Sequence, residues 1–160
     1  KIIIFPFDDY YHFSLLQSNI HEIWVKKYTS TLRTDVSYIP SNCFETFPFP
    51  QNPLKDNIEN VTKFGFDYYE HRRLIMLNRQ LGLTKIYNLF NNPENIDPDI
   101  IRFRKLHREM DNSVLLCYGW PDIKLKHDFF QNERGQTRFT IDPSSKEEIL
   151  RRLLELNLKI

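Results

Sequence analysis

Glycine is scarce in this sequence, which contains 4 glycines among 160 residues. Loops that cradle a nucleotide phosphate need several glycines close together, so the scarcity argues against such a loop. It also argues against a glycine-rich β-sandwich. Hydrophobic residues make up 41% and charged residues 27%, which is ordinary for a soluble globular protein. A length of 160 residues is enough for one domain with a real core, or for one domain plus part of a neighbour.

Excess charge of one sign is also missing, because the formal net charge is +1. Nothing in the overall charge indicates nucleic-acid binding, so any DNA-binding face must be local. Cysteine is rare as well, and Cys43 and Cys117 lie far apart in the sequence. They form no paired motif, which predicts reduced, buried thiols in an intracellular protein.

Long apolar runs are absent too. No stretch approaches the roughly 18 residues of a membrane span, and no signal peptide is visible. We therefore expect a soluble, cytoplasmic protein without a membrane partner. The sequence begins at Lys1, without an initiating methionine, and its first residues resemble a strand already under way. This beginning suggests a fragment of a longer chain.

Catalytic signatures are missing from the whole sequence. It has no Asn-Pro-Pro-aromatic or Asp-Pro-Pro-aromatic tetrapeptide of the kind found in DNA methyltransferases, no phosphate-binding loop and no nucleophile elbow. Asp122-Ile123-Lys124 resembles half of a nuclease metal site, but such triplets are common by chance and favour a surface loop. The histidines do not pair at metal-ligand spacing, and His107 fits a hydrogen-bonded core position better than a ligand. We predict no catalytic residue and no metal site.

What the sequence does contain is a long amphipathic segment, Leu54 to Gln80, that predicts a helix closed by Gly82. Gly65 is its weak point, because glycine inside a helix costs about 1 kcal/mol relative to alanine. Apolar and arginine positions recur along it at four- and three-residue steps, which places them on one seam. A second apolar ridge lies beside that seam, and we expect it to pack against another helix as well: Phe64, Leu74, Leu77 and Leu81.

Further helices are predicted over residues 9–27, 84–91 and 99–118, and from Asp142 onward. Residues 2–5, 35–39 and 138–141 are strand candidates, and the proline-rich residues 41–53 predict an extended connector. The prediction is a mainly α protein: a bundle of roughly three to five helices, with a small β element near the N-terminus and a short strand near residue 139. The long helix and the 99–118 helix should pack antiparallel, with Met110 and Val114 buried between them.

Basic residues gather locally on these helices, and six of them are candidate nucleic-acid contacts. Acidic neighbours dilute the cluster, so two interpretations stay open. The residues could form a backbone-contacting surface, or a solvated and half-buried face in which Arg72 and Arg79 pair with Glu109 or Asp111. The six candidates are Arg72, Arg73, Arg79, Lys85, Arg102 and Arg104.

Several ordered motifs resemble a known family. The segment Ser41 to Pro50 is similar to the junction "CFETFPFP" of large single-chain type IIG and type IIL (MmeI-like) restriction–modification enzymes. Residues 16–24 resemble the helix "LQSxxHxxW" that precedes this junction. Further similar stretches span nearly all of the chain: residues 68–73, 81–88, 106–111, 118–120 and 138–141.

This resemblance implies a division of the chain at about residue 50. Residues 1–50 would be the truncated end of a target-recognition domain, and residues 51–160 a C-terminal helical domain. The parent enzyme would be an adenine-specific DNA methyltransferase that uses S-adenosylmethionine, with its catalytic and cofactor motifs upstream of Lys1. The expected partners are duplex DNA and that upstream methyltransferase domain.

Two hypotheses follow for the chain itself. In the first, it is a non-catalytic DNA-recognition and helical module that positions the recognition domain on duplex DNA and carries no cofactor of its own. In the second, it is a structural helical spacer or a protein-interaction module that does not contact DNA. The arrangement of the basic residues, on one continuous face or scattered among acids, separates the two.

Overall fold

The computed structural model describes residues 2–29 and 38–160. Its helices are α1 (Tyr10–Gln17), α2 (Asn19–Tyr28), α3 (Pro40–Cys43), α4 (Lys55–Arg79), α5 (Leu83–Phe90), α6 (Pro98–Tyr118) and α7 (Pro143–Lys159). Two strands, β1 (His127–Gln131) and β2 (Thr137–Ile141), lie between α6 and α7. The predicted mainly α fold with a small β element is confirmed.

The two longest helices, α4 and α6, pack antiparallel as predicted. Near one end of the pair, the Nδ2 of Asn57 donates to the carbonyl oxygen of Leu116 at 3.2 Å. Further along, the rings of Tyr68 and Phe103 lie 5.0 Å apart between centroids. Helix α5 packs on both helices and adds Phe90, whose ring lies 4.8 Å from that of Phe103.

The core has two clusters distributed along this helix pair. The first collects Trp24, Val61 and Val114 with residues of α7, and the second collects Tyr68, Phe103 and Met110 with residues of α5. Met110 and Val114 are fully buried, as the matching seams predicted.

The second ridge predicted on α4 is only partly covered. Phe64 and Leu81 pack against the second cluster, but Leu74 and Leu77 stay 45% and 60% exposed. The expectation that Leu74 and Leu77 pack against a partner is wrong within the described residues, because α6, α5 and α1 cover other parts of the α4 surface.

The helix predicted from residue 9 to 27 is interrupted at Ser18. Ser18 takes an extended backbone conformation, ends α1 and begins α2, where its Oγ accepts from the backbone N–H of His21 at 3.4 Å. Serine competes for backbone donors in this way, which is why it starts a new helix here. Asp9 caps α1 through a 2.8 Å bond from the N–H of His12, as expected of an aspartate before a helix.

The N-terminal strand predicted at residues 2–5 is wrong, because these residues lie outside both strands of the described chain. The candidate at 35–39 falls largely outside the described residues, and its last two members, Tyr38 and Ile39, belong to no strand. Within the predicted connector, the chain forms the short helix α3, and residues 47–50 belong to no helix or strand. Pro40 stands at the first position of α3, where its missing N–H costs nothing.

The predicted strand near residue 139 is confirmed as β2, and it pairs antiparallel with β1, with Phe129 opposite Phe139. The prediction treated residues 120–136 as irregular and missed β1. Gly135 in the connecting turn has φ of 71°, which favours glycine.

Helix α4 ends differently from the prediction. Gln80, not Gly82, takes the left-handed conformation at its C-terminus, with φ of 53°. Gly82 has φ of −83° and precedes α5. The predicted starts of α6 and α7 and the end of α6 at Gly119 agree with the structure.

Candidate nucleic-acid interface

Arg104 lies inside the protein, although the sequence pattern placed it among surface residues. It is 6% exposed, and the ring of Phe129 lies 4.9 Å from its guanidinium carbon. Its guanidinium donates to four carbonyl oxygens: Phe90 at 2.8 Å, Asn95 at 2.8 Å, Asn92 at 2.7 Å and Leu89 at 3.2 Å. Carbonyls at a helix C-terminus lack intrahelical donors, so Arg104 completes the end of α5.

Arg79 joins the end of α4 to the start of α6. Its Nη2 lies 2.7 Å from Oδ2 of Asp97 and 2.7 Å from Oδ1 of Asp99, and its Nε donates to Asp99 at 2.8 Å. The hydrogen bond from Arg79 is the main reason that the pKa of Asp99 lies below its usual value. The predicted pairing with Glu109 or Asp111 is therefore wrong in its partners, although Arg79 does pair with acids.

Arg72 is half-buried among aromatic rings. Its guanidinium carbon lies 5.5 Å from the ring centroid of Tyr68 and 5.7 Å from that of Phe13. Its Nη1 donates to Oε1 of Gln17 at 3.2 Å and to the hydroxyl of Tyr87 at 3.0 Å. Arg72 thus connects α1, α4 and α5, and it has no carboxylate partner in the described part of the chain.

The other three candidates are exposed. Arg73 forms an ion pair with Glu70, one turn earlier on α4, at 2.8 Å. Lys85 on α5 and Arg102 on α6 make no hydrogen bond or ion pair with any described residue. The six residues therefore divide into two groups. Arg72 and Arg79 are partly buried, Arg104 is buried, and all three bind other groups of the protein, whereas Arg73, Lys85 and Arg102 are exposed.

The structure also contains a buried carboxylate that the sequence pattern did not single out. Asp111 is fully buried and accepts from the backbone N–H of Asn19 at 2.9 Å and from its Nδ2 at 2.7 Å. Nε2 of His127 on β1 lies 2.7 Å from the same carboxylate. Burial by itself raises the pKa of Asp111, but His107, His127 and Asn19 outweigh it and hold the pKa below the usual value. One side chain of α6 thus fixes both α2 and the β-hairpin.

A chain of polar side chains continues from this point through the core. The hydroxyls of Tyr68 and Tyr87 are 2.6 Å apart, and Nδ1 of His107 lies 3.3 Å from the Tyr68 hydroxyl. The Tyr87 oxygen also accepts from Arg72 at 3.0 Å, so the guanidinium, the two hydroxyls and the imidazole form one connected network. Burial lowers the pKa of the His107 imidazole, which favours its neutral form. The expected core role of His107 is confirmed.

The described part of the chain holds no group of three or more histidine, cysteine, aspartate or glutamate side chains that could ligate a metal ion. Asp122 pairs with Arg152, and Lys124 donates to the carbonyl of Pro121, so the metal-site resemblance of this triplet reflects a surface loop. Cys43 and Cys117 are free and buried. None of the described helices is long and apolar enough to cross a membrane.

Comparison with known proteins gives two matches. The sequence model described as "MmeI, target recognition domain" matches residues 1–51. A solved structure of the type IIL restriction–modification enzyme MmeI in complex with DNA matches with a TM-score of 0.67 and 20% identity, over 96% of this chain. Residues 1–51 are thus similar in sequence to the MmeI target recognition domain, and the fold of the chain is similar to part of the MmeI structure. The sequence supports this likeness over residues 1–51, and the fold supports it over nearly the whole chain.

The chain spans only 16% of the length of that MmeI structure. No curated protein matches its sequence. The boundary of the matched recognition domain, at residue 51, falls just before α4. Helices α1, α2 and α3 therefore belong to the part that matches the recognition domain, and α4 to α7 with the hairpin follow it.

Proposed function

We propose that this chain is the non-catalytic DNA-recognition and helical module of a restriction–modification DNA methyltransferase. Residues 1–50 would end the target-recognition domain, and residues 51–160 would be the helical domain that holds it on duplex DNA. The observation that carries this proposal is the match of residues 1–51 to the MmeI target recognition domain. The shared fold with an MmeI chain in a DNA complex supports it.

The contacts between the two parts support a positioning role. On α1, the Oγ of Ser14 lies 2.9 Å from the carbonyl oxygen of Val61 on α4. On α2, Asn19 is held by the buried carboxylate of Asp111 on α6 through two hydrogen bonds. A buried charge that loses its partners costs several kcal/mol, so these bonds resist sliding of α2 over α6. These hydrogen bonds would hold the recognition segment in a fixed position on the helical domain.

Direct DNA contacts are assigned to the exposed basic group. Lys85 and Arg102 have no protein partner to lose within the described residues, and Arg73 shares only an exposed pair with Glu70. Phosphate contacts require only positive charge and set the register of a protein on the duplex. Arg79 and Arg104 already bind acids or carbonyls, which favours a structural role for those two positions.

The wider activity is proposed for the parent enzyme and not for this chain. There, an upstream domain would bind S-adenosylmethionine and methylate adenine, and it would be the intramolecular partner of this module. No residue of the described chain is assigned to that chemistry.

Binding of duplex DNA to the chain tests the proposal, with Lys85→Ala/Arg102→Ala as the variant. Affinity should fall about equally for all duplex sequences. The slope of log affinity against log salt should become shallower by about 0.9 for each phosphate that the variant no longer neutralises.

The matched control is Lys55→Ala/Lys159→Ala, which removes the same charge. Lys55 stands at the opposite end of α4, roughly 36 Å from Arg79 at 1.5 Å per residue. An unchanged slope in the control and a shallower slope in the test variant would support the proposal. Equal slopes in the two variants would contradict the DNA role of Lys85 and Arg102. Absence of duplex binding by the unmodified chain would leave the spacer or protein-interaction function.

A further inference from the structure

A polar cleft of about 360 Å³ opens where the N-terminal helices meet α5 and β2. Its walls therefore come from both the matched recognition segment and the helical domain. The volume lies in the range of small-molecule sites in proteins. The side chains that line it include Gln17, Asn19, Asn88, Asn91, His107 and Arg138.

One wall of the cleft offers hydrogen-bonding groups that the protein does not use. Thr84, Asn88 and Asn91 follow each other at four- and three-residue steps, so they share one face of α5 and its end. The Thr84 hydroxyl and the Asn88 amide have no partner among the described residues. Asn91 accepts from the backbone N–H of Phe139 at 2.9 Å, which leaves its Nδ2 available.

Aromatic rings line another part of the cleft, where Phe90 and Phe139 are buried and Tyr87 is partly exposed. Tyr87, Phe90 and Phe139 line the cleft, and the rings of Phe90 and Phe139 contact edge to face at 5.4 Å. The Tyr87 hydroxyl is held by Arg72 and Tyr68. A ligand would therefore meet a largely preformed surface, which reduces the entropic cost of binding.

The lining of the cleft includes one acidic and one basic side chain, Glu22 and Arg138. Glu22 forms an ion pair with Lys26 at 3.0 Å. Arg138 donates from its Nη atoms to the carbonyl of Thr137 and to Gln136, and its Nε has no partner among the described residues. Neutral amides and rings thus make up most of the site, with one guanidinium to attract an anionic group.

We propose that this cleft binds a single unstacked nucleobase, with the attached phosphate near Arg138. Primary amides match the paired donor and acceptor atoms on base edges, as asparagine does with adenine. Aromatic walls suit the faces of a base that has left its stack. The biological source of that base, a nucleotide displaced from DNA, rests on the proposed function.

Titration with the four 2′-deoxynucleoside monophosphates tests the site directly, with deoxyribose 5-phosphate and inorganic phosphate as probes that lack a base. The side-chain amide signals of Asn88 and Asn91 should shift in NMR spectra on addition of at least one nucleotide and should saturate. Equal shifts with deoxyribose 5-phosphate would overturn the proposal, because they would indicate a simple phosphate site. The absence of saturable shifts with any nucleotide would also overturn it.

Asn88→Ala is the test variant and Asn78→Ala the matched control, since both asparagines are exposed on helices and Asn78 lies on α4. Removal of one amide should weaken nucleotide binding about 3- to 10-fold. The control should bind as the parent chain does. Unchanged binding by Asn88→Ala would overturn the assignment of the cleft.

The nucleotide titration needs no duplex, so its outcome separates from that of the proposed function. Duplex binding without nucleotide binding would overturn the cleft assignment alone. Nucleotide binding in the cleft without duplex binding would keep the site and overturn the proposed function.

Discussion

Ser14 on α1 occupies the space that a side chain at Gly65 of α4 would need. A Cβ built on Gly65 would lie 1.9 Å from Oγ of Ser14 and 2.9 Å from the carbonyl oxygen of Tyr10. The Ser14 Oγ itself lies 2.6 Å from that carbonyl and 2.9 Å from the carbonyl of Val61. Helices α1 and α4 can therefore approach this closely only because residue 65 is glycine.

Gly65→Ala should destabilise the protein. Helix propensity alone would favour alanine by about 1 kcal/mol, but the clash involves a backbone carbonyl that cannot rotate away. We expect a net decrease of about 1–3 kcal/mol in the free energy of unfolding, measured by urea denaturation. Gly82→Ala is the control, since nothing lies within 4 Å of a Cβ there. Equal stability of Gly65→Ala and the parent chain would contradict the close approach of the two helices.

Met110→Ala should open a cavity between α4 and α6. Met110 is fully buried in the second core cluster, so its truncation should cost about 2–5 kcal/mol in the free energy of unfolding. Met76 lies only partly buried at the edge of the same cluster, and Met76→Ala should cost clearly less. Thermal or chemical melts of the two variants make the comparison. A larger loss of stability in Met76→Ala than in Met110→Ala would contradict the burial of Met110 between α4 and α6.

Arg104→Ala should lower the melting temperature without changing the salt dependence of DNA binding. The substitution removes a donor from four carbonyl oxygens around the end of α5. Leu89 and Asn92 keep a backbone N–H donor, whereas Phe90 and Asn95 lose the guanidinium that satisfies them, and unsatisfied buried groups cost about 1–3 kcal/mol. Arg102→Ala, two residues earlier on the same helix, should leave the melting temperature nearly unchanged. A reversed pattern in the two melting curves would show that Arg104 is not the structural member of this pair.

Stability should fall as the pH drops from 6.5 toward 4, in part because of His21. Burial lowers the pKa of His21 from 6.5 to about 4, so the folded protein keeps this ring neutral while the unfolded chain takes up a proton. The unfolded state therefore binds more protons in this window, and the free energy of unfolding decreases as protons are added. Above pH 6.5 His21 is neutral in both states, so its contribution to the free energy of unfolding no longer changes with pH.

Melting temperatures at pH 7 and pH 4.5 provide the measurement, with His21→Gln as the comparison. The drop in melting temperature between the two pH values should be smaller in His21→Gln than in the parent chain. His107, whose pKa burial also lowers, should account for part of what remains. An identical drop in both proteins would assign the acid sensitivity to other groups.

The helices with strong periodicity were predictable because their signals are local. The steps from Val61 to Ile75 and from Ile100 to Val114 each define one apolar face, and two matching faces favour an antiparallel pair. Asp142-Pro143 and Gly119 mark helix ends through backbone preferences that need no tertiary contact. The burial of Met110 and the core role of His107 follow from the same periodicity.

The placement of charges depended on distant parts of the chain. Arg102 and Arg104 stand two residues apart and look alike in sequence, yet one is exposed and the other is enclosed by the end of α5 and the ring of Phe129. Asp111 looked like an acid that dilutes a basic surface, but Asn19 and His127 approach it from residues far away in sequence. No local pattern contains those partners, so sequence periodicity could not distinguish a buried charge from a solvated one.

By itself, the sequence determined the mainly α class, the long helices and their seams, because periodicity and capping act within a few residues. The tertiary structure alone decided that Ser18 divides the first helix, that β1 pairs with β2, and which arginines remain free for a ligand. It also created the cleft beside α5, since its walls come from four separate parts of the chain. Sites of that kind arise when packing brings side chains together, and their energies depend on burial that only the folded chain provides.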